Sequence, residues 1–335
     1  MGVIKLEKRE PMKELTSTVG LLLMAYGSPD SLDDMEAYLL DIRGGRPTSR
    51  ELVNEIKERY AEIGGRSPLL DITREQATAL EAELNRRYAD QAIDFRAYVG
   101  MRHWEPRIRA AVEQMAADGI THAVAMVMAP HSSRMSTGAY YKSLVTAVSE
   151  VDHDLDVAWV ENWHDHPGLI EAIAEKAEAT QARFEGEAPY VIFTAHSLPA
   201  RILAQGDPYD EQLNETARLL AQRLDLESGR WRFSYQSAGQ SPEPWLGPQI
   251  ESVVAELADA GEENLLVVPI GFVCDHVEVL YDIDIACKEI AARHGARLKR
   301  SNSLNTSPAF IGALADIASE KLKGRSDSAN EVRTS

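Results

Sequence analysis

A histidine closes one apolar run of this chain, in Thr194-Ala195-His196-Ser197-Leu198-Pro199, and an acidic row follows another, in Cys274-Asp275-His276-Val277-Glu278 running on to Asp282. A histidine at a strand end, held by the proline after it, serves as a base, as a metal ligand, or as a ring hydrogen-bonded at a loop corner. Asp275, Glu278 and Asp282 are spaced three and then four apart, which on an α-helix stacks three carboxylates on one face. Without basic partners such a row repels itself unless a helix dipole or a passing cation offsets it. An exposed acidic helix start is the alternative, and the apolar strand and glycine turn ahead of it argue for partial burial. Tyr26, in Met24-Ala25-Tyr26-Gly27-Ser28-Pro29, sits where a glycine and a proline turn the chain out of a strand. Its phenol can donate a hydrogen bond, ligate a hard metal ion, or pack at the corner. Arg43, Arg46, Arg50, Arg59 and Arg66 crowd one segment beside Gly44-Gly45 and Gly64-Gly65. Guanidinium groups bind carboxylates through two parallel hydrogen bonds, so the cluster suits a polycarboxylate or phosphate. It equally suits a solvated helix face paired with Glu51, Glu55, Glu58 and Glu62.

Elements that alternate along the chain must place these groups. Apolar, β-branched runs predict strands at Gly20–Tyr26, Phe95–Gly100, Ala123–Ala129, Val157–Glu161, Tyr190–Ala195, Phe233–Gln236 and Leu265–Gly271. Helical spacing separates them at Leu80–Tyr88, Arg107–Ala117, Ile170–Ala182, Glu211–Leu224 and Ile250–Ala260. Several strands are apolar on both faces, as in a parallel sheet covered by helices. The fold class is α/β, two Rossmann-like domains with parallel sheets and a cleft between them. The expected division is an N-terminal domain over 17–150 and a C-terminal domain over 151–305. A closing helix in 306–323 is expected to pack back on the first domain, ahead of a disordered tail over 324–335. In such sheets ligands bind beyond the carboxyl ends of the strands, which is where His196, Glu278 and Tyr26 fall.

Composition narrows the partners. With 35 basic and 53 acidic side chains the net charge is −18, which argues against nucleic acid and against an anionic membrane surface. An anionic substrate would need local positive charge. No apolar run is long enough to span a bilayer, and the polar N-terminus has no secretory pattern, so the cytoplasm is the expected location. Cys274 and Cys287 are too few for a disulfide framework. There is no G-x-x-x-x-G-K-[ST], no G-x-S-x-G around Ser197, and no H-E-x-x-H, C-x-x-C or EF-hand pattern.

Five stretches, LLLMAYGSPDSLDDMEAYLLDIRGG, ERYAEIGGRSPL, TAHSLPARILAQGDPY, YQSAGQSPEPWLGP and PIGFVCDHVEVLYD, resemble the signature segments of ferrochelatases, in the same order from about Val19 to about Lys323. The resemblance implies a porphyrin held between two Rossmann-like domains and metallated by ferrous iron. It implies that His196 and Glu278 are the catalytic, metal-handling pair, facing each other across the macrocycle, with His196 taking pyrrole protons. It assigns porphyrin contacts to Tyr26, Arg43, Arg59, Tyr60, Ser67 and Tyr140, and makes Asp282 an outer metal site. The Met-Ala-Tyr-Gly form resembles the Gram-positive branch, where this tyrosine lies axial to the product iron and the substrate is coproporphyrin III. The four propionates of that substrate would account for the arginine cluster.

The resemblance also sets out what is not expected. Some relatives hold a [2Fe–2S] cluster, which takes four cysteine ligands, so two cysteines imply none here, and no other permanently bound cofactor is expected. The acidic row of some relatives continues one turn beyond Asp282, where this chain has Ala286. Porphyrin and ferrous iron are the expected partners, with transient contacts to neighbouring haem-pathway enzymes. A protoporphyrin IX ferrochelatase, a cobalt or sirohydrochlorin chelatase and a non-catalytic haem carrier are the alternatives. A carrier would have no use for both His196 and Glu278.

Overall fold

Buried β-branched runs joined through helices can pair only in parallel, since each helix returns the chain to the edge it left. The computed structural model describes residues 17–239 and 241–333, with side chains described as far as residue 323. Strands β1 (Ser17–Ala25), β2 (Ile93–Met101), β3 (His122–Val127) and β4 (Asp156–Val160) form one parallel sheet in the order β2-β1-β3-β4. Strands β5 (Tyr190–His196), β6 (Trp231–Gln236), β7 (Asn264–Pro269) and β8 (Arg297–Arg300) form the other in the order β6-β5-β7-β8, also parallel. The second sheet thus repeats the strand order of the first. β8 is absent from the sequence prediction. Its Arg-Leu-Lys-Arg run buries only Leu298 fully, as an edge strand permits.

Helices fill the connections. α1 (Met35–Ile42), α2 (Arg50–Glu62) and α3 (Leu69–Arg87) follow β1, α4 (Ile108–Ala117) follows β2, and α5 (Thr137–Glu150) follows β3. α6 (Pro167–Gln181) joins the sheets, and α7 (Arg201–Ala204) and α8 (Tyr209–Arg223) follow β5. α9 (Ile250–Asp259) follows β6, while α10 (Val277–Leu280), a π-helix over Asp282–Cys287 and α11 (Lys288–Arg293) follow β7. α12 (Pro308–Arg333) packs against α3, α6 and β4, with Phe310 stacked on Trp163 and Arg87 bonded to Asp316 at 2.6 Å. The helix continues through Arg333, so the expected tail is not irregular from Gly324; the run to Arg333 contains no proline to stop it. Residues 334–335 lie outside the described residues.

The core sits on both faces of each sheet. Along β1, Leu21 and Leu23 join a cluster that takes in Leu80 of α3, Ile173 of α6, Phe193 of β5 and Phe310 of α12. Leu22 and Met24 point the other way, onto Val112 and Met115 of α4 and Leu144 of α5. Burying each such side chain is worth about 1.5–3 kcal/mol. Because the first cluster includes both β1 and β5, the two sheets share one continuous core, and their strand ends are fixed relative to each other.

The strand order also fixes where a ligand belongs. In each sheet the chain moves outward from the central strand, then crosses to its other side, so the switch point lies between β1 and β3 and again between β5 and β7. Loops leaving the carboxyl ends of those strands diverge and open a crevice.

Candidate active site

A cavity of about 520 Å³ opens at these switch points, within the range of about 300–1,000 Å³ usual for small-molecule sites. A second cavity of about 610 Å³ lies between the loop after β4, the start of α6 and α12, away from the β1–β3 and β5–β7 switch points, and holds neither His196, Glu278, Asp282 nor Tyr26. Tyr26 enters the first cavity after β1, His196 ends β5, Ser237 follows β6, and Glu278 and Asp282 follow β7. Two glycines permit this convergence. Gly27 adopts φ +95°, and a Cβ there would meet the Trp104 backbone N at 2.9 Å. At Gly271 a Cβ would meet that of Ala195 at 2.6 Å, so only glycine lets the β7 loop pass this close to β5.

His196 and Glu278 are in contact. Nδ1 of His196 donates to Oε2 of Glu278 at 3.0 Å, each side chain being 32% exposed to the cleft. A macrocycle cannot pass between atoms this close, so the expectation that the two face each other across its plane is corrected: the two side chains stand together on one side of the cleft. The ring is further fixed through its backbone, whose carbonyl accepts from the Tyr209 hydroxyl at 2.9 Å. Nε2 has no hydrogen-bond partner among the described residues and is left for a ligand. Burial works against the charge on Glu278, yet His196, and His276 at 3.7 Å, hold its carboxyl well below the usual range. Burial likewise opposes the imidazolium of His196, and the charge and hydrogen bond of Glu278 outweigh it, raising its pKa.

The acidic row is not one helical face. Asp275 precedes α10 and is turned to Arg300, Ser303 and Asn305. The backbone switches from α10 to the π-helix beyond Tyr281, and Glu278 and Asp282 remain on the cavity wall. Burial pushes the Asp282 carboxyl up to about 6, against a hydrogen bond donated by Ser237 Oγ and with the charge of Glu278 adding to the rise. A carboxyl raised in this way binds more protons folded than unfolded between its ordinary value and about 6. Stability therefore falls as pH rises through that window and stays lowered above it. Asp282→Asn is expected to be more stable than the parent by about 1–2 kcal/mol near pH 8, the gap closing toward pH 4. Thermal melts across that range check it, and a gap independent of pH would contradict it.

The remaining predicted residues divide. Arg59, Tyr60 and Ser67 line the cavity from α2 and the turn after it. Arg59 is bonded to Glu55 at 2.5 Å and lies over the ring of Tyr281, 5.5 Å from its centroid. Arg43 does not reach the cavity. It ends α1, where positive charge is favoured, and is exposed beside Gly44 and Gly45, whose left-handed φ values of +61° and +82° turn the chain away. Arg46 is exposed as well, its Nε donating to the Arg43 carbonyl at 3.1 Å. Tyr140 is buried on α5 beneath Arg102, whose guanidinium lies 5.5 Å from its ring centroid, and supports the wall from behind.

Arg102 and His103 also line the cavity, following β2 as Tyr26 follows β1. His103 packs its ring 4.6 Å from that of Tyr26 and is bonded to Asp41 at 2.8 Å. Arg102 makes no ion pair among the described residues. Charge in the cavity is divided by sheet. Its guanidinium groups, Arg59 and Arg102, come from the β1–β4 half, and its carboxylates, Glu278 and Asp282, come from the β5–β8 half. That division provides for an anion on one side and a cation on the other.

The comparisons agree with this geometry. A protein-family model described as Ferrochelatase matches residues 18–322. A protein of Deinococcus radiodurans named ferrochelatase is 45% identical over 306 residues, covering 90% of this chain and 96% of its own. One of Geobacillus sp. (strain WCH70), named coproporphyrin III ferrochelatase, is 42% identical over 309 residues, covering 91% and 98%. Among solved structures, SirB from Bacillus subtilis with Fe3+ superposes at a TM-score of 0.57 with 12% identity, over 91% of this chain and 95% of its own, which speaks to the fold alone. Among the described residues no helix is long and apolar enough to cross a membrane. With the family model spanning nearly all of both sheets, and an imidazole–carboxylate pair and two guanidiniums meeting in one crevice, the chain belongs to the ferrochelatase family and catalyses metal insertion into a porphyrin in haem biosynthesis.

Proposed function

We propose that the substrate is coproporphyrin III and the product Fe-coproporphyrin III. The observation that carries this reading is Tyr26 on the cavity wall, 41% exposed, in the Met-Ala-Tyr-Gly form that marks the coproporphyrin branch. Arg59 and Arg102 support it, since free guanidinium edges on an acidic protein favour a ligand with several carboxylates. Names alone divide, as the Deinococcus relative is a ferrochelatase and the Geobacillus relative a coproporphyrin III ferrochelatase. Anaerobic incubation with ferrous iron and either coproporphyrin III or protoporphyrin IX, followed by absorbance, decides it. Faster turnover of coproporphyrin III is expected, and a preference for protoporphyrin IX would overturn the assignment while leaving the chelatase activity intact.

In this reading Nε2 of His196 accepts the two pyrrole protons in turn, releasing the first to solvent water before it takes the second, and Glu278 receives the metal ion from the same side, with Asp282 as the outer site. Burial pushes the phenol of Tyr26 up to about 12, Arg102 pulling the other way, so it is neutral in the free enzyme. A phenolate favours ferric over ferrous iron, so Tyr26 acts after oxidation of the product rather than during insertion. Tyr26→Phe is expected to retain turnover and change the visible spectrum of the ferric product; identical spectra would reduce Tyr26 to packing.

The same reading gives the enzyme no iron–sulfur cluster and places it in the cytoplasm, in transient contact with neighbouring pathway enzymes. Both cysteines are buried, and two fall short of the four ligands a cluster takes.

A further inference from the structure

Between Asp275 and Asp284 the chain carries four carboxylates: Asp275 just before a one-turn helix, Glu278 on it, and Asp282 and Asp284 at the start of a π-helix. Neither element holds itself well. A single α-turn lacks cooperative support, and a π-helix is rare outside functional sites. Here the π register shows in the Ala286 N–H donating to the Tyr281 carbonyl at 3.0 Å. Like charges this close would also drive the segment apart.

The structure sorts the four by direction. Asp275 and Asp284 point away from the cavity and both meet Arg300 at the end of β8, whose side chain is 9% exposed. Nη1 of Arg300 lies 3.1 Å from Asp275 Oδ1, while Nε and Nη2 donate to Asp284 Oδ2 at 3.0 and 2.7 Å. Ser303 and Asn305, just beyond β8, donate to the Asp275 carboxylate at 2.8 and 2.9 Å. Lys288 adds a contact of 2.8 Å to Asp284. Glu278 and Asp282, lying between these two anchors, meet no lysine or arginine in an ion pair among the described residues.

We propose that Arg300 is a positioning residue for the metal step: by tying Asp275 to Asp284 it locks α10 and the π-helix in the register that aims Glu278 and Asp282 into the cavity, and leaves those two as the carboxylates available to a divalent metal ion. The proposal rests on Glu278 handling metal. A guanidinium suits the task because its planar fork spans two carboxylates at once, whereas a lysine ammonium is a point charge on a flexible stem. Arg300 touches neither substrate and acts through the segment it clamps.

The test is anaerobic steady-state kinetics with ferrous iron and whichever of coproporphyrin III and protoporphyrin IX turns over faster. Wild type, Arg300→Met, Arg300→Lys, Asp284→Asn and Glu278→Gln are compared. Arg300→Met is expected to raise KM for ferrous iron by roughly 10–100-fold, the usual cost of losing an outer-shell partner, with KM for porphyrin unchanged. Arg300→Lys should recover part of the loss, and Asp284→Asn should show a smaller rise of the same kind. A lowered melting temperature or active fraction with both KM values unchanged would overturn the proposal. If Arg300→Met does not fold, Asp284→Asn decides: it leaves the Arg300–Asp275 contact in place, and an unchanged KM for iron counts against the clamp. Glu278→Gln separates the two levels. Normal metal kinetics in that variant would defeat the reading of Glu278 itself, whereas a defect there with none in the Arg300 variants would defeat the clamp alone.

Discussion

Replacing His196 by alanine is expected to lower turnover by roughly 10²–10⁴-fold, the span usual for loss of a positioned general base, while porphyrin binding persists. Two pyrrole protons must leave the macrocycle before a metal ion can occupy it. The Nε2 edge of His196, on the cavity wall, has no hydrogen-bond partner among the described residues, and Nδ1 is anchored to Glu278 at 3.0 Å. The backbone of His196 is held by β5 and by the Tyr209 hydroxyl, so truncation beyond Cβ removes the ring without moving the strand. On the proposed reading, binding draws on the guanidiniums and phenol of the other half of the cavity, which the substitution leaves intact. Quenching of porphyrin fluorescence measures binding and anaerobic absorbance measures turnover. Near-normal turnover would remove His196 from the mechanism.

Glu278→Gln is expected to cost roughly 10²-fold in turnover and also to change its pH dependence. The carboxylate raises the pKa of His196, and an imidazole must be neutral to accept a proton, so activity in the parent rises as pH climbs through that raised value. Glutamine keeps the shape and removes the charge. The imidazole then loses its proton more easily, and the rising limb of kcat/KM moves to lower pH even as the plateau falls through loss of a ligand for the metal ion. A fallen plateau with an unmoved limb would show that Glu278 acts on the metal ion alone.

Much of this was legible in the chain, for a physical reason. The seven predicted strands coincide with observed ones, and those at β1, β3, β5 and β7 are apolar on both faces, a pattern that a covered parallel sheet satisfies. β8 escaped because Leu298 is its one fully buried side chain. His196 and Glu278 were found by the rule that strand ends in such sheets carry function. Their direct contact was not, since it joins residues 82 positions apart through the adjacency of β5 and β7. Arg102 and His103 obey the same rule at β2, but no recognisable motif in the sequence sets them apart as Tyr26-Gly27-Ser28-Pro29 does after β1. Asp275 misled because three-and-four spacing presupposes an unbroken α-helix, whereas α10 begins only at Val277 and gives way to a π-helix beyond Tyr281. Its partner Arg300 comes from the strand the sequence did not reveal.

The repeated strand order and the division of charge between the halves have a bearing on how such an enzyme can diversify. If the arginines of one sheet hold the macrocycle and the acids of the other hold the metal ion, as proposed, taste for each resides in a separate stretch of the gene, parted at α6. A crossover within the helix that joins the sheets can exchange one without disturbing the other, provided the shared core under β1 and β5 still fits. New pairings of porphyrin and metal are then reachable by recombination of halves, with the common hydrophobic seam as the constraint on which halves are compatible.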